Sequence, residues 1–312
     1  MNINHIKLLF TFLPTTAKWV SFCLLLVPTL SYSQDNILAV MSGDGKIYQT
    51  FYSTLKDKLE NKSQTNITLT QVSASEVNNK ILNKYNLIIS IGYKAATIVA
   101  KHNPKTTVIY SLIPDDGPLL ASIPCKNKSC YKVFINQPVS RYIALFKIVF
   151  PYKNNLAFAT TQANSHKSQQ LKMAARLNGF IYNEIIIKQD SNIARTLTNK
   201  LNKNDILLAL PDSAIYNSGN AKSIILSSYH KNVPIIAYSQ SFAKAGALTS
   251  LFSSVDNIAN KTANIANKII QNGSQTEKEY YPDDFAIVIN SAVAHSLNID
   301  IDSEKTIKRK IK

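Results

Sequence analysis

Residues 207–252 read LLALPDSAIYNSGNAKSIILSSYHKNVPIIAYSQSFAKAGALTSLF, and this stretch decides the fold. Leu207–Leu210 is an unbroken apolar run that stops at Pro211-Asp212, as a buried strand stops at a turn. An amphipathic helix is expected next, then a second apolar strand over Val233–Tyr238, then a short helix leading to Gly246. Strand, helix and strand in this order form a βαβ unit, the usual connection between parallel strands. Ligands of such sheets lie outside the carboxyl ends of the strands. Asp212 and Ser239 stand at those ends here.

The same alternation runs through the rest of the chain. Asn36–Met41, Ile67–Val72, Leu87–Ile91 and Thr106–Leu112 read as strands. Helices are expected from the Ser42-Gly-Asp-Gly45 turn to about Asn61, over Ser75–Lys84, and from Gly92 to about Lys101. Ile113–Tyr131 breaks the pattern with three prolines, Asp115-Asp116-Gly117 and two cysteines, and is expected to be the passage between lobes. The alternation resumes with a short strand at Val133–Asn136 and a helix over Gln137–Phe150, with Pro138 in its first turn. Leu156–Thr160 (strand), Ser165–Asn178 (helix, closed by Gly179), Asn183–Ile187 (strand), Asn192–Leu201 (helix) and Ile206–Leu210 (strand) follow. Beyond the opening stretch come a long helix over Val255–Gln271, a strand at Phe285–Ile289 and a short helix at Ser291–Leu297. The prediction is an α/β protein of two Rossmann-like lobes with parallel sheets joined by a hinge. The first lobe is expected over 34–115, completed by part of 245–300, and the second over 116–244. The basic tail 302–312 is expected to be solvated.

The first 33 residues read as a secretory signal rather than as fold. Lys7 and Lys18 supply charge, Trp19–Leu30 is apolar but broken by Pro28, and Ser31-Tyr32-Ser33 has the small-x-small form of a cleavage site. The run is shorter than the roughly 20 residues of a spanning helix. Cleavage after Ser33 is expected, with retention as an anchor as the alternative. Cys125 and Cys130 are separated by four residues (C-x4-C) in a turn-rich stretch with no further His or Cys close by. In an oxidising compartment that spacing reads as a local disulfide rather than a metal site.

The chain carries a net charge of +16, and about +14 without Lys7 and Lys18. Its lysines are scattered and only Arg141, Arg176, Arg195 and Arg309 are arginines, so no nucleic-acid stripe is formed. An anionic membrane face or an acidic partner is the other reading of the excess charge. Gly43-x-Gly45 lacks the third glycine of a dinucleotide fingerprint, because Tyr48 stands there. No nucleophile–base pair and no paired carboxylates are visible, so neither catalysis nor a cofactor or metal is expected. What remains is a set of polar residues at the carboxyl ends of strands: Ser42, Asp44, Asp115, Gln162, Asp212 and Ser239. Each alone reads as a turn or cap; together they outline a cleft whose helix N-termini suit an anion. Tyr48, Tyr93 and Tyr216 either stack on a flat ligand or cover core. Arg141 reads either as a cleft-facing carboxylate anchor or as a surface residue.

Four segments carry a family resemblance: ISIGYKAATIVA (89–100), TTVIYSLIPDD (106–116), residues 206–251, and FAIVINSAVAHSLNIDI (285–301). In order and spacing the chain resembles a periplasmic substrate-binding protein of the ABC-transporter type, with the type I two-lobed fold. It is most similar to the family that includes tryptophan- and tyrosine-binding proteins. The resemblance implies a monomeric, exported, periplasmic protein that holds a small amino-acid-like or other organic ligand between its lobes. It also implies an ABC permease or another envelope protein as partner; an envelope sensor of the same fold is the alternative. The segment CKNKSCYKVFINQPVSRYIALFKIVFP departs from the family's Asn-Val-Thr-Gly-type loop, which leaves the ligand unnamed.

Overall fold

The computed structural model describes residues 35–61, 66–115, 120–125 and 129–312. The expected signal and its cleavage site therefore lie outside the described residues, as do Asp116 and Gly117.

Two six-stranded sheets form the frame. The first contains β1 (Asp35–Met41), β2 (Ile67–Ser73), β3 (Leu87–Ile91), β4 (Thr107–Ile113), β5 (Cys130–Phe134) and β11 (Glu279–Tyr280) in the order β11-β5-β4-β3-β1-β2. Every pair in it is parallel. Its helices are α1 (Lys46–Lys56), α2 (Asn79–Leu82), α3 (Tyr93–His102) and, from much later in the chain, α9 (Val255–Asn272). The second sheet holds β6 (Asn155–Thr160), β7 (Ile181–Ile186), β8 (Asp205–Leu208), β9 (Ile235–Ala237), β10 (Thr249–Phe252) and β12 (Ala286–Ile289) in the order β12-β10-β9-β8-β6-β7. Around it lie α4 (Val139–Val149), α5 (Ser165–Leu177), α6 (Ile193–Lys200), α7 (Ala221–His230), α8 (Gln240–Ala245), α10 (Ser291–Ser296) and α11 (Glu304–Ile311).

The unbroken apolar strands have a direct cause. Successive side chains point to opposite faces, and each face of each sheet is covered. Ile37, Ala39 and Met41 enter one core of the first lobe, while Leu38 and Val40 enter another. In the opening stretch Leu208 and Leu210 pack with α4, whereas Leu207 and Ala209 pack with Ile224 and Phe242. The βαβ unit is present as β8-α7-β9, with β8 and β9 parallel. The helix before it is delayed by a turn-rich segment from Pro211 to Asn220, so α7 starts only at Ala221.

Three expectations need correction. Residues 113–131 are not the passage between lobes. They lead from β4 to β5, which pairs parallel with β4 inside the first sheet, where Tyr131 and Val133 are wholly buried. The first lobe therefore runs to Phe134, and the chain crosses at Ile135–Pro138, returns at Ser253–Ser254, and crosses again at Tyr281–Phe285. The second sheet is not all parallel, because β12 runs antiparallel to β10. The basic tail is no solvated terminus: α11 is capped by Ser303, and Ile307 is fully buried in the second lobe's core. α9 and β11 pack with the first sheet, and neither β10 nor β11 is apparent as a strand in the sequence. Cys125 and Cys130 are joined by a disulfide at the entry to β5, with Cα atoms 5.7 Å apart.

Candidate functional site

The polar residues picked out at strand ends fall into distinct groups. At the ends of β1 and β3, the Ser42 hydroxyl accepts the Ala95 N–H at 2.9 Å and so caps α3, whose own N-cap, Gly92, has no side chain to offer. Gly92 adopts φ +91°, and a Cβ there would lie 2.6 Å from Ser42 Oγ and 2.7 Å from the Tyr48 ring. Ser42, Tyr48 and Gly92 are thus one packed unit. Asp44 is exposed beside it. The Tyr93 hydroxyl pairs with Ser122 Oγ at 2.9 Å.

Asp115, at the end of β4, is the centre of a second group. Its backbone N–H donates to Asn136 Oδ1 at 2.7 Å. Its carboxylate accepts hydrogen bonds from the Lys167 ammonium and from the Tyr281 hydroxyl, the latter at 2.5 Å. Lys167 comes from α5 in the second lobe and Tyr281 from the last crossing, so this ion pair bridges the lobes. Both charged side chains are nearly buried, at 12% and 11% exposure, which strengthens their attraction over that of a surface pair. Burial and the Asp115 charge both push the Tyr281 phenol upward, so it stays a proton donor to that carboxylate.

Asp212 lines the same small cavity as Asp115, together with Asn136, Gln137, Asn164 and Lys167. The carboxylate of Asp212 is already engaged. Oδ1 accepts the Ala214 N–H at 3.0 Å, and Oδ2 accepts Thr161 Oγ1 at 3.1 Å and Asn164 Nδ2 at 2.7 Å. It therefore locks the β6 turn to the β8 turn and orients the Asn164 amide. The cavity holds about 20 Å³, roughly one water. A larger ligand there must displace these side chains.

The remaining expected residues are elsewhere. Tyr216 is not a stacking surface in the cleft. Its ring is buried in edge-on contact with Tyr238 and Phe242, at 6.4 and 5.9 Å between centroids. Its hydroxyl has no hydrogen-bond partner among the described residues, and burial pushes its pKa up. Gln162 is exposed in the turn before α5. Ser239 caps α8, accepting the Phe242 N–H at 3.3 Å.

The hinge is held by residues whose part the sequence does not reveal. Gln137, on the first crossing, donates to Ser253 Oγ on the second at 2.7 Å. Ser253 Oγ in turn donates to the Asp284 carbonyl on the third at 2.6 Å. Arg141 is neither cleft-facing nor a free surface residue. Its guanidinium donates to Gln137 Oε1 and the Pro282 carbonyl, each at 2.7 Å, and to the Asp283 carbonyl at 3.2 Å. It also lies 4.8 Å above the Phe285 ring. Burial pulls its pKa down, and the Asp283 and Asp284 carboxylates oppose that pull. Those two adjacent carboxylates are tied to opposite lobes: Asp283 to Lys261 of α9 at 2.7 Å, Asp284 to Lys308 and Lys312 at 2.9 and 3.1 Å.

Asn136 and Gln137 were within reach of sequence reading, as polar residues between a strand and a proline-started helix. Lys167, on α5 after β6, could also have been weighed as a strand-end residue. Tyr281 carried no signal, because nothing local marks a crossing.

Among the described residues no cluster of three or more His, Cys, Asp or Glu could hold a metal ion, and no helix is long and apolar enough to cross a membrane. A family model described as ABC transporter substrate binding protein matches residues 36–310. No curated protein sequence matches the chain. Among solved structures, it is similar to the ligand-free, open form of a substrate-binding protein with adhesive properties from Clostridium difficile. That likeness has 17% identity, covers 87% of this chain and 97% of the other, and has a TM-score of 0.70. It is also similar to an ABC domain in complex with L-Trp from Streptococcus pneumonia (18% identity, 88% and 98% covered, TM-score 0.56). A periplasmic ribose ABC transporter structure from Conexibacter woesei shares the fold at 7% identity, with 88% and 97% covered and a TM-score of 0.55.

Proposed function

This chain belongs to the family of ABC transporter substrate-binding proteins, and on that premise we propose that it is an exported, periplasmic, monomeric solute-binding protein. It captures a small amino-acid-like or other organic molecule between its lobes and delivers it to an ABC permease. It carries out no covalent chemistry of its own. The observation that supports this reading is the bridge of Lys167 to Asp115 across the cleft floor, above a hinge in which Arg141 and Gln137 tie the crossings together. Groups from both lobes meet in one cavity, so a ligand seated there feels both lobes at once. Lobe rotation about the crossings then encloses it. The structural neighbours differ in what they take, one being in complex with L-Trp and another a ribose transporter, and the polar floor here suits a molecule with hydrogen-bonding or charged groups.

A thermal-shift screen of amino acids, nucleobases, sugars and small organic acids tests the proposal. A true ligand raises the melting temperature, by an amount set by its concentration over Kd. That rise should shrink in Asp115→Asn and Lys167→Gln. A ligand whose effect is the same in the parent and both variants would move the site away from this cleft. Intact mass of the recovered protein should correspond to a chain starting at Gln34; a mass that includes residues 1–33 would refute release by cleavage.

A further inference from the structure

The end of the second lobe remote from the cleft bears a concentration of exposed apolar and basic side chains. Tyr152, Leu177, Met173 and Ile181 are 99%, 81%, 68% and 58% exposed. They are neighbours in the fold. Met173 and Leu177 are four residues apart on α5, hence on one helix face. Ile181 starts β7 just beyond Gly179, and its N–H donates to the carbonyl of Asn154, two residues past Tyr152, at 2.8 Å. Lys172 and Arg176 form a second stripe on α5 beside the apolar one, and neither is in an ion pair among the described residues. Lys147, exposed on α4, and Lys153 add to this end.

No acid offsets that charge within the segment. Residues 117–183 contain nine Lys and Arg and no Asp or Glu; of the nine, Lys147, Lys153, Lys172 and Arg176 lie at this end, whereas Lys132, Arg141 and Lys167 meet acids elsewhere in the fold. Two acids lie close by: Glu184 accepts from Ser168, and buried Asp205 accepts from Asn183 and from the Asn202 N–H and attracts Lys153; Lys172 and Arg176 form no ion pair among the described residues.

We propose that this end of the second lobe is a docking surface for an anionic lipid bilayer. The side chains project as separate knobs from a helix end, a turn and a strand start, instead of lining a groove. Such knobs need no shape-matched partner, but they can enter the interfacial layer of a membrane while the basic stripe meets its headgroups. The carboxyl ends of the strands point away from this surface, so the cleft stays open to solvent when the lobe is docked. Lipid docking gives the four basic side chains of this end a role without calling on the cleft, and it stands whatever the ligand is.

The test is vesicle co-sedimentation at low salt, with phosphatidylglycerol–phosphatidylcholine (1:1) against pure phosphatidylcholine vesicles. Protein recovered after export is used, with parent and variants processed alike, so any contribution of residues 1–34 is common to all. The parent should partition onto the anionic vesicles at least about tenfold more strongly and lose this preference as salt rises. Met173→Glu/Leu177→Glu and, separately, Lys172→Gln/Arg176→Gln should each lower the partition by about tenfold. All four positions are exposed, so the variants should keep the parent's melting temperature; if the first pair fails to fold, the second alone decides. Equal binding of the parent to both vesicles, or variants that bind like the parent, would overturn the proposal. So would a parent that ignores vesicles but forms a dimer, or binds an acidic protein, through these residues.

Discussion

Replacing Arg141 by Met should loosen the hinge and cost measurable stability. Methionine keeps much of the stem's apolar volume but removes the guanidinium. Three hydrogen bonds from a charged donor are lost, to Gln137 Oε1 and to the carbonyls of Pro282 and Asp283, along with the contact to the Phe285 ring. Each such bond contributes about 1.5–3 kcal/mol. The site is only half-buried, so water re-solvates part of what is exposed, and the attraction to Asp283 and Asp284 is screened. Arg141 also has a desolvation cost that the variant recovers. The net expectation is a loss of about 2–4 kcal/mol, less than the sum of the bonds. For a chain of this size that lowers Tm by roughly 5–10 °C. Circular dichroism melts would measure it. Small-angle scattering should show a larger radius of gyration, because Arg141 ties the first crossing to the third. Arg141→Lys keeps the charge but cannot reproduce the planar fork, so it should restore less than half of the loss. A variant that melts within about 2 °C of the parent, with unchanged scattering, would refute the idea that this side chain holds the crossings together.

Gly92→Ala should destabilise by about 2–4 kcal/mol, since φ +91° disfavours any side chain and the new Cβ would meet Ser42 and Tyr48 at 2.6 and 2.7 Å; a denaturant titration with an unchanged midpoint would contradict this. Cys125→Ser should cost about 1–3 kcal/mol, felt at the β4–β5 edge of the first lobe, and the denatured but unreduced parent should label no thiol at Cys125 or Cys130; two labelled thiols would exclude the bond. Hydrogen bonds from Lys308 hold the Asp284 carboxyl below its ordinary 3.8, against the opposing effect of burial and with further help from Lys312. A depressed folded-state pKa stabilises above the unfolded value and loses that contribution as pH falls through the folded one. The melting temperature of Asp284→Asn should therefore lie below the parent's by a constant amount from about pH 5 to 7, and the gap should shrink as the pH falls below the ordinary 3.8 and through the lower folded-state pKa; a gap that persists undiminished in acid would assign the effect to something other than charge.

Local pattern alone determined most of the scaffold of this protein. Strands such as Leu87–Ile91 and the helix ended by Gly246 are legible because a buried strand must be apolar on both faces and a glycine at a helix end relieves backbone strain. The polar residues at strand ends were legible for the same reason, as turns follow from chain geometry. Lobe membership was not. Cys130–Phe134 has the same apolar character whichever sheet receives it, and only its pairing with β4 places it in the first lobe. The fate of Tyr216 was equally undetermined, since a tyrosine after a turn can face a cleft or a core, and the neighbours that settle it, Tyr238 and Phe242, are some twenty residues away. The hinge lay furthest from view. Gln137, Arg141, Ser253 and the 281–285 crossing come from three parts of the chain with no shared periodicity. Lys167 and Tyr281 meet Asp115 only because the fold brings the second lobe and the last crossing to the end of β4. Hydrophobic periodicity records how a segment meets its own sheet, but it holds no information about which distant charge or amide will stand opposite, and in this protein the cleft floor and the hinge consist of such long-range meetings.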